Sequence, residues 1–234
     1  MKKTTFALLL LFTLLSSGVH AQKKSKKDYL VTLNTNQGTM HLILFDETPK
    51  HKANFVKLIE EKFYDALLFH RVIEDFMIQG GDPNSKNADA NTLLGNGENG
   101  YRIPAEFTPK RFHQKGALAA ARDNNPEKES SGCQFYIVEG KKWKKEELDK
   151  QFQRSGVKHS EEQINIYQTV GGAPHLDGGY TVFGQVIDGL GVISRISMAK
   201  KNPMNRPDEN IKMNMTVQKL KKKKIERKFG YKYN

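Results

Sequence analysis

At 234 residues the chain has room for one domain with a substantial core plus some elaboration. Its one cysteine, Cys133, rules out an intrachain disulfide, and its seven histidines show no HExxH-like ligand spacing, so neither a disulfide scaffold nor a metal motif is expected. The formal charge of +12 sits largely in lysine runs at Lys23–Lys27, Lys141–Lys145 and Lys219–Lys224. These runs lack the aromatic interleaving of a base-stacking surface, so they read as solvated faces and not as a specific nucleic-acid site.

The chain opens with Lys2 and Lys3, a short apolar run from Phe6 to Leu15, and Val19-His20-Ala21. This is the pattern of an export signal cleaved after Ala21, and the run is too short for a membrane span. Residues 22–28 follow as a basic linker. Leu30–Thr35 and Thr39–Phe45 are strand-like, and Asn36-Gln37-Gly38 between them predicts a hairpin turn. Thr48-Pro49 starts a helix, with Thr48 of a capping type and Pro49 at the first helical position. Phe55, Val56, Ile59 and Phe63 give it one apolar stripe. Residues 83–100, rich in Asn and Gly, predict a surface loop. Leu118–Arg122 and Cys133–Val138 predict two strands around a polar loop. Alternation along the second puts Gln134 and Tyr136 on one face and Phe135 on the other. Cys133, next to this apolar strand, reads as a small buried residue. Tyr180–Val186 predicts a strand, Leu190–Ile196 a short helix and Ile211–Val217 a last strand, and residues 218–234 are expected to be basic and mobile. Many short strands, few helices and glycine turns predict a mainly β, antiparallel barrel.

Between the second strand pair and Pro174 lies a segment, 141–174, of different character. Trp143–Gln153 is helix-like with Gly156 as a stop signal, and Ser160-Glu161-Glu162-Gln163 is a capping box. A helical hairpin is expected, holding Trp143, the only tryptophan. The segment is expected to alter partner choice more than chemistry, so that shortening 143–170 to a tight turn leaves the chain's basic activity almost unchanged.

Three blocks carry chemistry. Phe69-His70-Arg71-Val72-Ile73-Glu74-Asp75-Phe76-Met77-Ile78-Gln79-Gly80-Gly81-Asp82-Pro83 sets one arginine beside an apolar cluster and a glutamine. Rotation about a prolyl amide makes and breaks no covalent bond. It needs an apolar slot for the ring and a donor aimed at the twisted amide, with no nucleophile, metal or cofactor. The block resembles the signature of the cyclophilin-type peptidyl-prolyl isomerases. Gly116–Ala121 with Cys133–Ile137 resembles that family's second signature, and His175-Leu176-Asp177-Gly178 with Phe183-Gly184 its third. The likeness covers roughly 29–140 and 173–218, and implies a closed eight-stranded antiparallel barrel capped by two helices, with a domain spanning 29–218.

The resemblance also implies roles. Arg71 matches the catalytic arginine. Phe76, Met77, Tyr136 and Leu176 match the walls of the proline slot, and Gln79 and Gln134 the groups that bind substrate backbone. Ala121 and Arg122 match the strand along which the peptide lies, and His70, Ile73, His175 and Tyr180 the rim. Four positions depart from the best-known members. Tyr136 stands where phenylalanine is usual, so its hydroxyl needs a partner or water, which could shrink the slot. Arg122 replaces an asparagine, Tyr180 a histidine and His175 a tryptophan, so cyclosporin binding is expected to be weak. Glu106-Phe107 after Ile103-Pro104-Ala105, and Pro174–Gly178, are similar to the bacterial branch. The expected function is therefore an exported, most simply periplasmic, cofactor-independent isomerase acting on proline-containing unfolded or flexible polypeptides. A non-catalytic peptide-binding chaperone on the same barrel is the rival, and Arg71 argues against it because a pure binder has no use for that donor.

Overall fold

A computed structural model describes residues 25–233; the export-signal pattern and the start of the basic linker lie outside the described residues. Asn36 and Gln37 make a tight two-residue turn, with Thr35 opposite Gly38, that joins β1 (Lys27–Thr35) to β2 (Gly38–Leu44). Gly38 has φ +130°, a conformation that glycine accepts without strain. Val31, Leu33, Met40, Leu42 and Leu44 point to one side of this hairpin and are fully or almost fully buried in the main core. Leu30, Ile43 and Phe45 belong to a second apolar cluster on the other face.

The remaining strands are β3 (Phe69–Ile73), β4 (Met77–Gly80), β5 (Arg102–Ile103), β6 (Ala117–Ala120), β7 (Ser130–Ser131), β8 (Phe135–Val138), β9 (Val182–Asp188) and β10 (Met213–Lys221). Eight of them form one sheet in the order β10-β1-β2-β9-β6-β8-β4-β3, and β5 pairs with β7 apart from it. Every neighbouring pair in the large sheet is antiparallel. The closed barrel expected from sequence is corrected here: the sheet curls into a half-barrel that stays open. Its edges meet only ahead of β3, at a single bridge of Leu68 to Lys212. Backbone bonds from Ala66 N to Met213 O (2.9 Å), Met213 N to Leu67 O (2.8 Å) and Phe69 N to Ile211 O (2.9 Å) flank it. The register shifts between Phe69 and Arg71, and β3 then bonds to a loop instead of to β10, with Val72 N donating to Asn205 O at 2.8 Å. A loop thus occupies the edge that an eighth ladder would need.

Two helices pack on the main core, α1 (Pro49–Glu60) and α4 (Leu190–Ser197); α2 (Lys145–Ser155) and α3 (Glu161–Thr169) lie between them in sequence. Phe55 of α1 meets Tyr64, Phe135 and Phe183 with ring centroids 5.1, 5.5 and 5.2 Å apart. The helix ends before Phe63, which packs on the core from the turn after it. Thr48 makes no side-chain cap; its hydroxyl donates to Phe45 O. The Glu106 carboxylate caps α1 from outside, accepting from Lys50 N and His51 N, both at 3.0 Å, and meeting His51 Nδ1 at 2.7 Å. A carboxylate is favoured there because it satisfies orphan N–H groups and faces the positive end of the helix dipole.

In the insertion, Gly156 ends α2 in the left-handed conformation (φ +68°), and Ser160 with Gln163 caps α3 reciprocally. The hairpin is rooted at Gly172, which bridges both Gln114 and Lys141. A Cβ on Gly172 would lie 2.2 Å from His113 O, so the backbone approach here requires glycine. The C-terminal segment differs from the mobile tail expected. β10 pairs with β1 as far as Lys221 opposite Lys27, and α5 (Lys222–Phe229) follows. Ile225 is 1% exposed in the same outer cluster as Leu30, Ile43 and Phe45, with Phe229, Tyr231 and Tyr233 packed around it. The lysines hid an amphipathic pattern: Ile225 and Phe229 face inward while Lys223, Lys224 and Lys228 stay exposed.

Candidate active site

Strand parity builds the site. Arg71 of β3 lies opposite Gln79 of β4, Gln79 opposite Tyr136 of β8, and Tyr136 opposite Ala119 of β6. One row of residues therefore crosses four neighbouring strands on the outer face. Ile73 lies opposite Met77 in the next row. The alternate residues Val72, Ile78, Phe135, Ile137, Leu118 and Ala120 fill the main core instead. Met77, Ala119, Ala121 and Tyr136 are buried in the outer cluster, and Ile73, Phe76, Leu176 and Tyr180 pack against it half-exposed. These side chains form the apolar surface where the expectation placed a proline slot.

The polar members are linked in series. Arg71 donates from one guanidinium amine to Gln79 Oε1 at 3.1 Å. Gln79 Nε2 donates to Gln134 Oε1 at 3.1 Å, and Gln134 Nε2 donates to Gly95 O at 2.9 Å and Gly97 O at 2.8 Å. The loop that receives this chain is fastened by buried Asp82, which accepts from Asn84 N, Gly95 N and Gly97 N. A Cβ on Gly97 would fall 1.9 Å from Asp82 Oδ1, which accounts for the glycine. Asp82 stands inside the first block, but its role was not legible, because its partners lie 13 and 15 residues away in a loop of no regular pattern.

Phe76 meets exposed His175 with ring centroids 5.2 Å apart, and Trp143 of the insertion stands 6.4 Å from the same histidine. The Trp143 indole donates to Gly172 O at 2.8 Å. Arg122 donates from Nε to Gly179 O at 2.8 Å and lies 4.7 Å from the centre of the Tyr180 ring, a cation–π contact. Tyr180 meets Tyr136 edge-on at 5.9 Å.

His70, expected on the rim, is instead 4% exposed and covered by the loop near Gly95, with neither ring nitrogen hydrogen-bonded. As the neighbour of outward Arg71 on β3 it falls on the inward side with Val72. Burial pushes its imidazole down to about 4. Cys133 is buried and its thiol is pushed up to about 11, chiefly by burial, which makes it inert as a nucleophile at neutral pH. Among the described residues no cluster of His, Cys, Asp or Glu is placed to hold a metal ion, and no helix is long and apolar enough to cross a membrane.

The Tyr136 hydroxyl has a partner that sequence reading did not supply. It lies 2.9 Å from Nε2 of buried His113, whose Nδ1 lies 2.6 Å from Asp177.

Residues 30–218 match the family model described as cyclophilin type peptidyl-prolyl cis-trans isomerase. A provisionally named peptidyl-prolyl cis-trans isomerase of Staphylococcus aureus is 35% identical over 178 residues, which are 76% of this chain and 85% of that protein. A provisionally named bifunctional phosphatase/peptidyl-prolyl cis-trans isomerase of Streptococcus pyogenes is 35% identical over 186 residues. Those residues are 77% of this chain and only 37% of that longer protein. A crystal structure of a Cryptosporidium parvum cyclophilin type peptidyl-prolyl cis-trans isomerase, determined in the presence of the dipeptide Ala-Pro, matches with a TM-score of 0.58 at 22% identity. It covers 81% of this chain and 98% of the other, a likeness of fold. The row of site residues thus sits within a chain that belongs to the cyclophilin-type peptidyl-prolyl cis–trans isomerase family, and the protein is an isomerase of that type.

Proposed function

We propose that this isomerase belongs to the exported bacterial branch of its family and speeds the folding of secreted or outer-membrane proteins, with Arg71 stabilising the twisted amide. One observation carries the mechanism: Arg71 is tethered by a single amine to Gln79 at the head of the row, beside the apolar surface of Phe76, Met77, Tyr136 and Leu176. A guanidinium has five N–H donors, so the remaining ones can address a substrate. As the amide twists, the proline nitrogen becomes pyramidal and gains a lone pair that a donor can meet. That contact accelerates the reaction only because it is stronger in the transition state than in the planar amide. Gln79, half-exposed, keeps one amide hydrogen for the flanking backbone, while buried Gln134, its donors committed to Gly95 O and Gly97 O, orients Gln79 instead of touching substrate, and the proline ring enters the slot. The test is a cis–trans assay on a short proline peptide in the presence of a chelator. Catalysis that survives chelation supports the reading. Binding without catalysis would favour the non-catalytic chaperone.

Export rests on residues 1–21. N-terminal sequencing of the mature protein should begin at Gln22, and an intact Met1 in the cytoplasmic fraction would refute export. The lysines exposed on α5 are read as a solvated face, since Ile225 and Phe229 account for the helix's packing.

Weak cyclosporin binding follows from His175, which offers a smaller apolar face than an indole. Trp143 is near, but its N–H is committed to Gly172 O. His175→Trp should therefore tighten cyclosporin inhibition of peptide turnover. Tight inhibition of the unmodified protein would show that another group makes the contact.

A further inference from the structure

The outer face of the slot rests on a buried polar network that joins it to the insertion. His113 is 1% exposed, and its ring stacks on Tyr136 with centroids 6.0 Å apart and planes within 10°. Asp177 Oδ1 accepts from His113 N at 2.9 Å and faces His113 Nδ1 at 2.6 Å. Its other oxygen, Oδ2, accepts from the Tyr167 hydroxyl at 2.5 Å and faces His159 Nε2 at 2.6 Å. Tyr167 belongs to α3 and His159 to the link between α2 and α3, so one carboxylate joins the insertion to the slot. Burial alone would raise the Asp177 carboxyl, but the bonds from His113, His159 and Tyr167 hold it well below the usual carboxylate range. Both oxygens are fully used, which leaves no room for a water or ion between the partners.

The network orients the tyrosine hydroxyl. Asp177 on Nδ1 keeps a proton there, and with the ring neutral Nε2 is an acceptor. Tyr136 then donates to Nε2, and its hydroxyl turns away from the substrate while its ring faces the slot. Released from His113, that hydroxyl would have to satisfy itself from the slot or bring in water, and either narrows an apolar pocket.

We propose that His113 and Asp177 are positioning residues for the proline slot, and that the insertion, through His159 and Tyr167, is part of the slot's wall. The proposal rests on the reading of Tyr136 as a wall of that slot. It also gives 141–174 a task within the catalytic unit. Shortening 143–170 removes both insertion donors to Asp177, so KM for even a short peptide should rise, contrary to the expectation drawn from sequence.

The test is a double-mutant cycle read on a short proline peptide, with KM and kcat from turnover and Kd from peptide titration. His113→Leu should raise KM and Kd about tenfold, the size expected when a buried hydroxyl loses its partner, with kcat falling less than about threefold. In the Tyr136→Phe background the same change should raise them less than about twofold, because no hydroxyl is left to strand. Tyr167→Phe, which keeps the ring and is the variant to use if His113→Leu does not fold, should raise KM about threefold, and again only when Tyr136 is present. An equal effect in both backgrounds, or no effect in a folded variant, would overturn the positioning role. A wild type that neither binds nor turns over the peptide would instead remove the slot reading itself, and the proposal with it.

Discussion

Arg71→Ala should lower kcat/KM on a short proline peptide by about 10²–10³-fold, a typical loss for a transition-state donor. The uncatalysed barrier is about 18–20 kcal/mol, set by amide resonance. A reduction of about 7 kcal/mol would give about 10⁵-fold, and the donor's share of this is about 3–4 kcal/mol. The dry slot and the fixed position of the chain must supply the rest. Stability should change little, because Arg71 is half-exposed and water can replace it on Gln79. Arg71→Lys should recover only part of the rate, since an ammonium lacks the planar fork that serves Gln79 and a substrate together. The comparison needs matched circular dichroism and thermal melts, so that a loss of rate is not a loss of fold. Full activity in a folded Arg71→Ala protein would remove Arg71 from the mechanism.

Acid should destabilise the protein well above the range where ordinary carboxylates titrate. His70 is buried and unpartnered, and its imidazole is pushed down to about 4. An unfolded histidine titrates near 6.5. Between those values the unfolded chain binds a proton that the folded chain refuses, so stability falls as pH drops through that window. The full contribution is present above about pH 6.5, and roughly 2–3 kcal/mol of it is lost by pH 4.5 at about 1.4 kcal/mol per unit. His51 is lowered by burial too and acts in the same direction, while the depressed Asp177 adds a loss only at lower pH. Urea unfolding at pH 7 and pH 4.5 measures this. His70→Leu should flatten the pH dependence by about the same 2–3 kcal/mol, as it removes the buried group that must charge. Parallel losses in both proteins would show that His70 is hydrated or paired in solution.

Periodicity made the face of one site strand legible. Gln134 and Tyr136 were separable from Phe135 because a strand alternates its side chains, and the structure puts Phe135 in the main core and Tyr136 in the outer cluster. Gly156, Ser160 and Gln163 signalled the helix ends through local chemistry that acts within one turn. His70 was misplaced because its rim role was taken from the resemblance, whereas alternation beside outward Arg71 puts it on the inward side with Val72. The mobile tail was a misreading of charge: a lysine run hides an inward Ile225 when only net polarity is weighed.

The sequence by itself determined the family, through three blocks in order, and the alternation that sets Gln134 and Tyr136 on one face and Phe135 on the other. Only the tertiary structure decided what those blocks rest upon. Whether the sheet closes depends on an edge contact between Leu68 and Lys212, far apart in the chain. Glu106 caps a helix that begins 57 positions earlier, and His113 meets an aspartate 64 positions later. No local rule encodes such pairs, because hydrogen-bond partners and burial follow from which strands become neighbours. The link from Tyr136 through His113 and Asp177 to the insertion exists only once β6, β8 and the hairpin root at Gly172 have been brought together.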